Sequence, residues 1–256
     1  SYYMTRIVPE FTYLRPAFDH TYPHRNQFFN VGYTRIISNQ TLNELSFGWV
    51  RMHGEAGDPT PDAPNVSIAG GVNGFGVEFW HPIQFTQNNF EIKETLTTSR
   101  GRHNFRTGAE VRLSIDNSEL HHWVRPNYEF QTPLESTQST GILDFADDEA
   151  FSERRGVDPQ TGLPTLAVGE DRRRESALFA QDTWKVRPNV TLNLGLRYEV
   201  FMSPKKVNRP FSGIILGQGA TRQEQVRTAR VGEISRLYET DWNNFGPRLG
   251  FAWDVK

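Results

Sequence analysis

Alternation of apolar and polar side chains at every second residue constrains this chain more than any other feature. From residue 190 the even positions are apolar or aromatic as far as Val200, whereas the odd positions carry Thr, Asn, Gly, Arg and Glu. Because successive side chains of a β-strand point to opposite faces, this periodicity predicts strands with one apolar and one polar face. Clear or weaker forms of the pattern predict about seven strands, at 28–38, 42–53, 90–99, 104–115, 176–186, 190–200 and 244–255.

The connections between the predicted strands alternate strictly between short and long. Short turns lie at 39–41, 100–103 and 187–189, and long segments span 54–89, 116–175 and 202–243. Such long connections are unusual in compact soluble domains, where the median is about 4–6 residues. Brief periplasmic turns alternating with long extracellular loops are typical of outer-membrane barrels. The sequence therefore predicts an all-β, antiparallel, up-and-down transmembrane β-barrel segment in the bacterial cell outer membrane.

Composition excludes several other classes of protein. The formal net charge is −2, so we expect no nucleic-acid partner. The absence of cysteine excludes a disulfide scaffold, a thiolate metal site and a cysteine nucleophile. No stretch approaches the ~20 apolar residues that a membrane-spanning helix requires.

Aromatic residues mark both ends of the predicted apolar faces. Trp184 and Trp253 lie close to the short-turn ends of their strands, and Tyr198 and Phe245 lie toward the long-connection ends. For strands that rise ~3.3 Å per residue at ~45° tilt, the two sets are separated by roughly 20 Å. This separation is close to the height of the apolar band between the aromatic girdles of such barrels.

The polar faces of the predicted strands carry charged side chains, which a barrel would direct into a hydrated lumen. The lumen-facing candidates are Arg106, Glu110, Arg112, Arg197, Glu199 and Arg248. The alternative, which alternation alone leaves open, is the solvent face of a half-exposed sheet. Arg35, Glu94 and Asp182 interrupt the apolar faces. Glu94 lies nearest the middle of its strand, so we expect a bulge or register change there.

Four stretches resemble the C-terminal barrel region of TonB-dependent outer-membrane receptors, and the Oar-like subgroup in particular. They read LFAQDTWKVRPNVTLNLGLRYE at 178–199, NFGPRLGFAWD at 244–254, GRHNFRTGAEVR at 101–112 and TLNELSFGW at 41–49. The resemblance implies a barrel of about 22 strands, a plug domain, a TonB box and uptake driven by the inner-membrane TonB–ExbB–ExbD complex. Neither plug nor TonB box is visible in the sequence. We therefore expect residues 1–256 to be a partial barrel domain that contacts TonB–ExbB–ExbD through a missing N-terminal part.

The implied function is binding of an extracellular ligand, of unknown identity, followed by its import. Aromatic and histidine residues of the long connections are candidate ligand contacts or, equally, loop-packing anchors: Trp80, His81, Trp123, Tyr128 and Trp242. Outer-membrane lipid is an expected partner. Three consecutive arginines at 172–174 are candidates for contact with lipopolysaccharide phosphates or, equally, a solvated basic run. The alternative is a soluble β-rich carbohydrate-binding or carbohydrate-cleaving module with exposed aromatic platforms.

Motifs that could carry chemistry do not have the context that the chemistry needs. Ser203 and Lys206 match the S-x-x-K pattern of serine acylases but open a long polar segment instead of a helix. His121 and His122 have no further ligand at metal-site spacing. We therefore expect a non-enzymatic protein with no catalytic residues, no cofactor and no metal site.

Overall fold

The computed structural model describes residues 1–60, 62–69, 74–78, 80–120, 125–130, 141–158, 161–163, 167–207 and 210–255. Its strands are β1 (Tyr2–Ile7), β2 (Glu10–Phe11), β3 (His20–Thr21), β4 (His24–Ser38), β5 (Thr41–Ala56), β6 (Asn65–Ile68), β7 (Ile83–Arg100), β8 (His103–Leu120), β9 (Asn127–Phe130), β10 (Ser152–Arg154), β11 (Ala167–Arg187), β12 (Val190–Phe201), β13 (Lys205–Lys206), β14 (Phe211–Ile215), β15 (Arg230–Ile234) and β16 (Phe245–Trp253). A 3-10 helix spans Pro16–Phe18, and two short α-helices are α1 (Gly141–Ala146) and α2 (Arg222–Arg227). None of the helices in the described ranges has the length and apolar character needed to cross a membrane.

One large antiparallel sheet dominates the fold. Its order is β1-β4-β5-β7-β8-β11-β12-β16, with β13 paired to β11. Apart from short elements in the connections, each strand therefore pairs with the next along the chain, which confirms the predicted all-β, up-and-down antiparallel architecture. The sequence reasoning missed β1, which pairs with β4 from Tyr2 opposite Phe29 to Ile7 opposite His24. No pairing joins β1 to β16 within the described ranges.

The hairpin turns lie where the sequence predicts them, but several strands continue further at their other ends. The turns occupy 39–40, 101–102 and 188–189. Gly101 has φ +61°, a left-handed conformation that glycine adopts without a Cβ clash. The ladders of β7, β8 and β11 extend well past the predicted limits toward the long connections. In these extensions polar side chains occupy both faces, so the hydrogen-bonded ladder continues after the alternation has ended.

The register of the sheet separates its two faces cleanly, because directly opposed residues share a face. We call the side that carries Leu196 and Leu249 the apolar face and the side that carries Glu110 and Arg112 the charged face. On the apolar face Leu249 is 84% exposed. Other exposed residues of the apolar face are Met4, Val31, Tyr33, Leu45, Ile92, Phe105, Val111, Leu178, Leu194, Leu196, Phe245, Phe251 and Trp253. In the described part of the chain, no second layer covers this face.

Glu94 lies on the apolar face without distorting its strand, so the predicted bulge is wrong. The pairing of β7 with both neighbours runs without a register shift through Glu94. Asn43 Nδ2 donates a hydrogen bond to Glu94 Oε1 at 3.0 Å. Asp182 also has a polar partner, because its Oδ2 lies 2.7 Å from His103 Nδ1. Each of these carboxylates therefore pairs with a polar neighbour on the adjacent strand, and the strand needs no kink.

The first two long connections fold together into a small packed unit. We call the described residues of 57–82 and 121–166 the cap. In it β9 pairs with β6 in parallel and with β10 in antiparallel fashion. Val66, Ile68 and Phe130 form its buried core, and α1 packs on that core through Phe145, whose ring centroid lies 5.1 Å from that of Phe130.

An ion pair and a separate hairpin complete the connections. Asp58 and Arg125, both almost fully buried, pair across the two connections of the cap. Burial lowers the pKa of Arg125, and the carboxylate of Asp58 supplies the opposite charge.

The third connection forms the β14–β15 hairpin and α2, whose capping box joins Thr221 and Glu224.

Candidate functional site

A network of ion pairs occupies the charged face, with Arg112 at its centre. Arg112 Nη2 lies 2.8 Å from Glu91 Oε2, and Arg112 Nη1 lies 3.2 Å from Glu175 Oε2. These partners stand directly opposite Arg112 on β7 and β11, so the register of three strands fixes the contact. Sequence reasoning included Arg112 but missed Glu91 and Glu175, because β7 and β11 alternate less regularly there.

Glu110 extends this network to a fourth strand. Its two carboxylate oxygens lie 3.3 Å from Arg112 Nη2 and 3.7 Å from Arg197 Nη2. Arg197 Nε also donates to Glu199 Oε1 at 2.6 Å. Four carboxylates thus surround two guanidinium groups, which leaves an excess of negative charge. Exposed pairs of this kind contribute only about 0.2–1 kcal/mol each, so the network serves charge distribution more than stability.

Basic side chains line the same face beside the ion-pair network and on its turn side. Lys93, Arg106, Arg197 and Arg248 surround a shallow cavity of about 200 Å³. Among the described residues, Lys93, Arg106 and Arg248 form no ion pair. The charged face therefore carries a carboxylate-rich region and, beside it, a basic region in which, within the described ranges, Arg197 is paired and the other three cations are not. Such a region can bind an anionic group.

A second cluster joins the cap to the segment that precedes β4. His20, Glu78 and His81 each offer a ligand atom, and these atoms lie within 4.8 Å of one another. The His81 side chain is fully buried, and neither ring nitrogen makes a hydrogen bond within the described structure. Burial, followed by the nearby His20, lowers the pKa of His81 to about 4. Sequence reasoning named His81 only as a candidate ligand contact and missed this set, because His20 lies in a different segment of the chain from Glu78 and His81.

The profile of the outer membrane beta barrel domain matches residues 1–256. The chain belongs to this family. The match covers the whole sequence, and it agrees with an antiparallel meander whose apolar face is exposed. The protein is therefore located in the bacterial outer membrane, which overturns the alternative of a soluble module. No curated protein sequence matches the chain.

The register distributes the predicted polar-face residues of this outer-membrane barrel domain over three strands. Arg106, Glu110 and Arg112 lie on β8, Arg197 and Glu199 on β12, and Arg248 on β16, all on the charged face. The ion-pair network brings four of them together, namely Glu110, Arg112, Arg197 and Glu199. The other two line the basic region.

The predicted ligand contacts of the domain are spread over different connections. Trp80 packs on His81, with ring centroids 3.8 Å apart. His81 is fully buried, so its side chain has no exposed surface with which to contact a ligand. Tyr128 belongs to β9 and packs on the cap core. Trp242 lies in the third connection and is 62% exposed. Trp123 lies outside the described residues, as do His121 and His122.

The three consecutive arginines of the barrel domain divide between the two faces. Arg172 stands opposite Ile115 and Arg174 opposite Leu113, which places both on the continuation of the apolar face. Arg173 stands opposite Ser114 on the other side. Only two of the three arginines can therefore point toward a surrounding lipid layer.

Proposed function

We propose that this chain forms part of a TonB-dependent outer-membrane receptor that binds an extracellular ligand and imports it with energy from the TonB–ExbB–ExbD complex. The four stretches that resemble this receptor family support the proposal. The observation that carries it is the charged face, where paired carboxylates lie beside unpaired cations in a barrel domain of the outer membrane. A receptor with a plug needs such a polar interior, because the plug binds inside it.

In this receptor the charged face lines the lumen. The lumen-facing residues are Arg106, Glu110, Arg112, Arg197, Glu199 and Arg248, together with Glu91, Lys93 and Glu175. Water or the plug keeps these groups solvated or paired, which avoids the large cost of burying a lone charge. The basic region near the turns favours passage of ligands that carry negative charge.

The remainder of the receptor supplies what this chain lacks. β1 and β16 have partners on one side only among the described residues. Open backbone groups are prohibitive in hydrocarbon, so further strands complete the barrel. The resemblance to this receptor family implies about 22 strands in all. The plug and the TonB box belong to the same polypeptide, and the TonB box contacts the inner-membrane complex.

The cap and the third connection form the extracellular surface that meets the ligand first. Among the predicted contacts that the structure describes, Trp242 has the greatest exposure. The hydroxyl of Tyr128 donates a hydrogen bond to Glu153 Oε1, 3.4 Å away. His81 supports this surface from below, because it is buried under Trp80.

The experiment uses the full-length protein in two arms. Purified protein is tested for binding to the soluble C-terminal domain of TonB, and the same preparation is placed in liposomes to measure swelling in arabinose. We expect TonB binding without swelling, since a plug closes the lumen. Swelling without TonB binding would instead identify a passive porin and overturn the proposal.

Lipopolysaccharide is the second partner in this proposal. On the lipid side of the sheet, Arg172 lies at the polar edge of the apolar band, and Arg174 lies two residues nearer the turn, opposite Leu113. Both can reach phosphates at this edge, where charge-assisted hydrogen bonds are favourable. We expect the double variant Arg172→Ser/Arg174→Ser to retain less lipopolysaccharide after detergent extraction. Arg173→Ser is the matched control, because its side chain lies on the other face. Equal retention in both variants would remove this partner.

A further inference from the structure

The cluster of His20, Glu78 and His81 has the properties of a metal centre rather than of a packed core. A buried polar group without a partner is costly, and native structures satisfy the great majority of them. Here several such atoms meet at one place among the described residues: Tyr13 Oη, His20 Nε2, Glu78 Oε2 and both ring nitrogens of His81. A cation at their centre would satisfy His20 Nε2, one ring nitrogen of His81 and the carboxylate of Glu78 together.

The main chain fixes the orientation of His20 for this role. Its Nδ1 lies 3.1 Å from the carbonyl oxygen of Phe18, which can only accept a hydrogen bond. Nδ1 therefore carries the proton, and Nε2 keeps its lone pair directed at the cluster. A backbone carbonyl that holds the second ring nitrogen in this way is the usual support of a metal-binding histidine.

Glu78 supplies both the charge and the spacing. Its Oε2 lies 3.4 Å from His81 Nδ1 and forms no hydrogen bond of normal geometry with it. Bonds of about 2.1 Å around a tetrahedral ion place neighbouring ligand atoms roughly 3.4 Å apart. All the ligand atoms of the cluster lie within 4.8 Å of one another, so a closure of about 1 Å or less between them completes the site.

The surroundings of the cluster favour a stable but accessible site. The ring of His20 stacks between Phe11 and Tyr13, at 5.1 and 5.7 Å between centroids, and Trp80 covers His81. These rings exclude water and hold both imidazoles in place. The Glu78 side chain is 36% exposed, which gives an ion a route from solvent.

We propose that His20, Glu78 and His81 bind a divalent transition-metal ion of the zinc type, with a fourth coordination position open to water. Two imidazoles and one carboxylate suit zinc, nickel or copper, whereas calcium and magnesium prefer six or more oxygen ligands. The ion links the segment before β4 to the first long connection, so it fastens the cap to the sheet. This role is independent of the proposed transport.

The test is a zinc titration of the full-length protein, purified in detergent without a histidine tag and stripped with a chelator. Competition with a chromophoric chelator measures the affinity. We expect one tightly bound equivalent, and at least tenfold weaker binding in His20→Gln and in Glu78→Gln, since each removes a ligand. His53→Gln is the matched control, because His53 Nδ1 already pairs with Thr86 Oγ1 at 2.8 Å.

X-ray absorption at the zinc edge of the wild-type protein provides a readout that does not depend on any variant. We expect scattering from two imidazole rings and one or two oxygen ligands. Heat-modifiable migration on gels verifies that each variant is folded. Failure of the wild type to bind zinc, a spectrum without imidazole, or equal affinities in all folded variants would overturn the proposal.

Discussion

The large sheet and the cap differ in the exposure of their apolar side chains. On the apolar face of the sheet Leu249 and Phe251 are 84% and 66% exposed, whereas Val66 and Val77 in the cap are 5% and 0% exposed. Burial of apolar surface away from water stabilises a protein by about 25 cal/mol per Å² of buried area. The cap follows this rule and the sheet does not, because the sheet faces hydrocarbon.

The boundary between the two solvents can be read from the register. Arg51, Asn88, Ile115 and Arg172 stand side by side across four strands. Between this row and the short turns, the same face carries Trp49 and Phe90. Beyond the row, toward the long connections, most side chains of this face are polar. The backbone ladder crosses this boundary without a break, so one continuous sheet serves both environments.

The largest expected effect tests the cap. Phe130→Ala removes a buried ring from its core and should cost about 3–5 kcal/mol of local stability. Hydrogen exchange should accelerate in 57–82 and 125–158 while β12 and β16 remain protected. Leu249→Ala is the control, since that side chain touches no protein core. Equal acceleration in the sheet would show that cap and sheet are one cooperative unit and would break the comparison.

The next effect tests the lipid side of the sheet. Leu196→Arg places a charge on the apolar face and should destabilise the membrane-inserted barrel by about 2–4 kcal/mol, measured by urea unfolding in vesicles. Gln181→Arg is the matched control. Gln181 is next to Ala180, which stands opposite Leu196, so it lies at nearly the same height, but its side chain points to the charged face. A larger loss in the control would invert the assignment of the faces.

The smallest effect tests the ion-pair network. Glu110→Gln removes the carboxylate shared by Arg112 and Arg197 and should cost about 1 kcal/mol or less. The difference from wild type should shrink between 50 and 500 mM salt, because screening weakens exposed pairs. Glu239→Gln, which loses only the exposed pair with Arg236, should show no measurable change. An effect that is independent of salt would contradict an electrostatic origin.

The sequence predicts those strands of the large sheet that have lipid on one face and water on the other. Alternation located β12 and the turns because lipid and water impose opposite requirements on neighbouring residues. It failed for 167–175 of β11, where both faces are polar. It predicted a bulge at Glu94 because a carboxylate on an apolar face looks like an error until its partner Asn43 is known.

The cap and the histidine cluster lie beyond such reasoning. Their strands are short, and β6 pairs with β9 across a long stretch of sequence. His20 and His81 meet only after two separate segments have packed together. Candidate ligand residues such as Trp80 and Tyr128 could be recognised by type, but their burial and neighbours depend on tertiary contacts.

Accessibility of spin labels along β12 tests the central claim most directly. Residues 1–256 contain no cysteine, so single cysteines at 190–200 are the only labelled sites of this region once any cysteine elsewhere in the full-length protein is replaced by serine. In reconstituted membranes, labels at even positions should collide with oxygen, which concentrates in lipid. Labels at odd positions should collide with a water-soluble nickel complex. Equal accessibility at neighbouring positions, or the opposite phase, would contradict a sheet whose apolar face meets lipid.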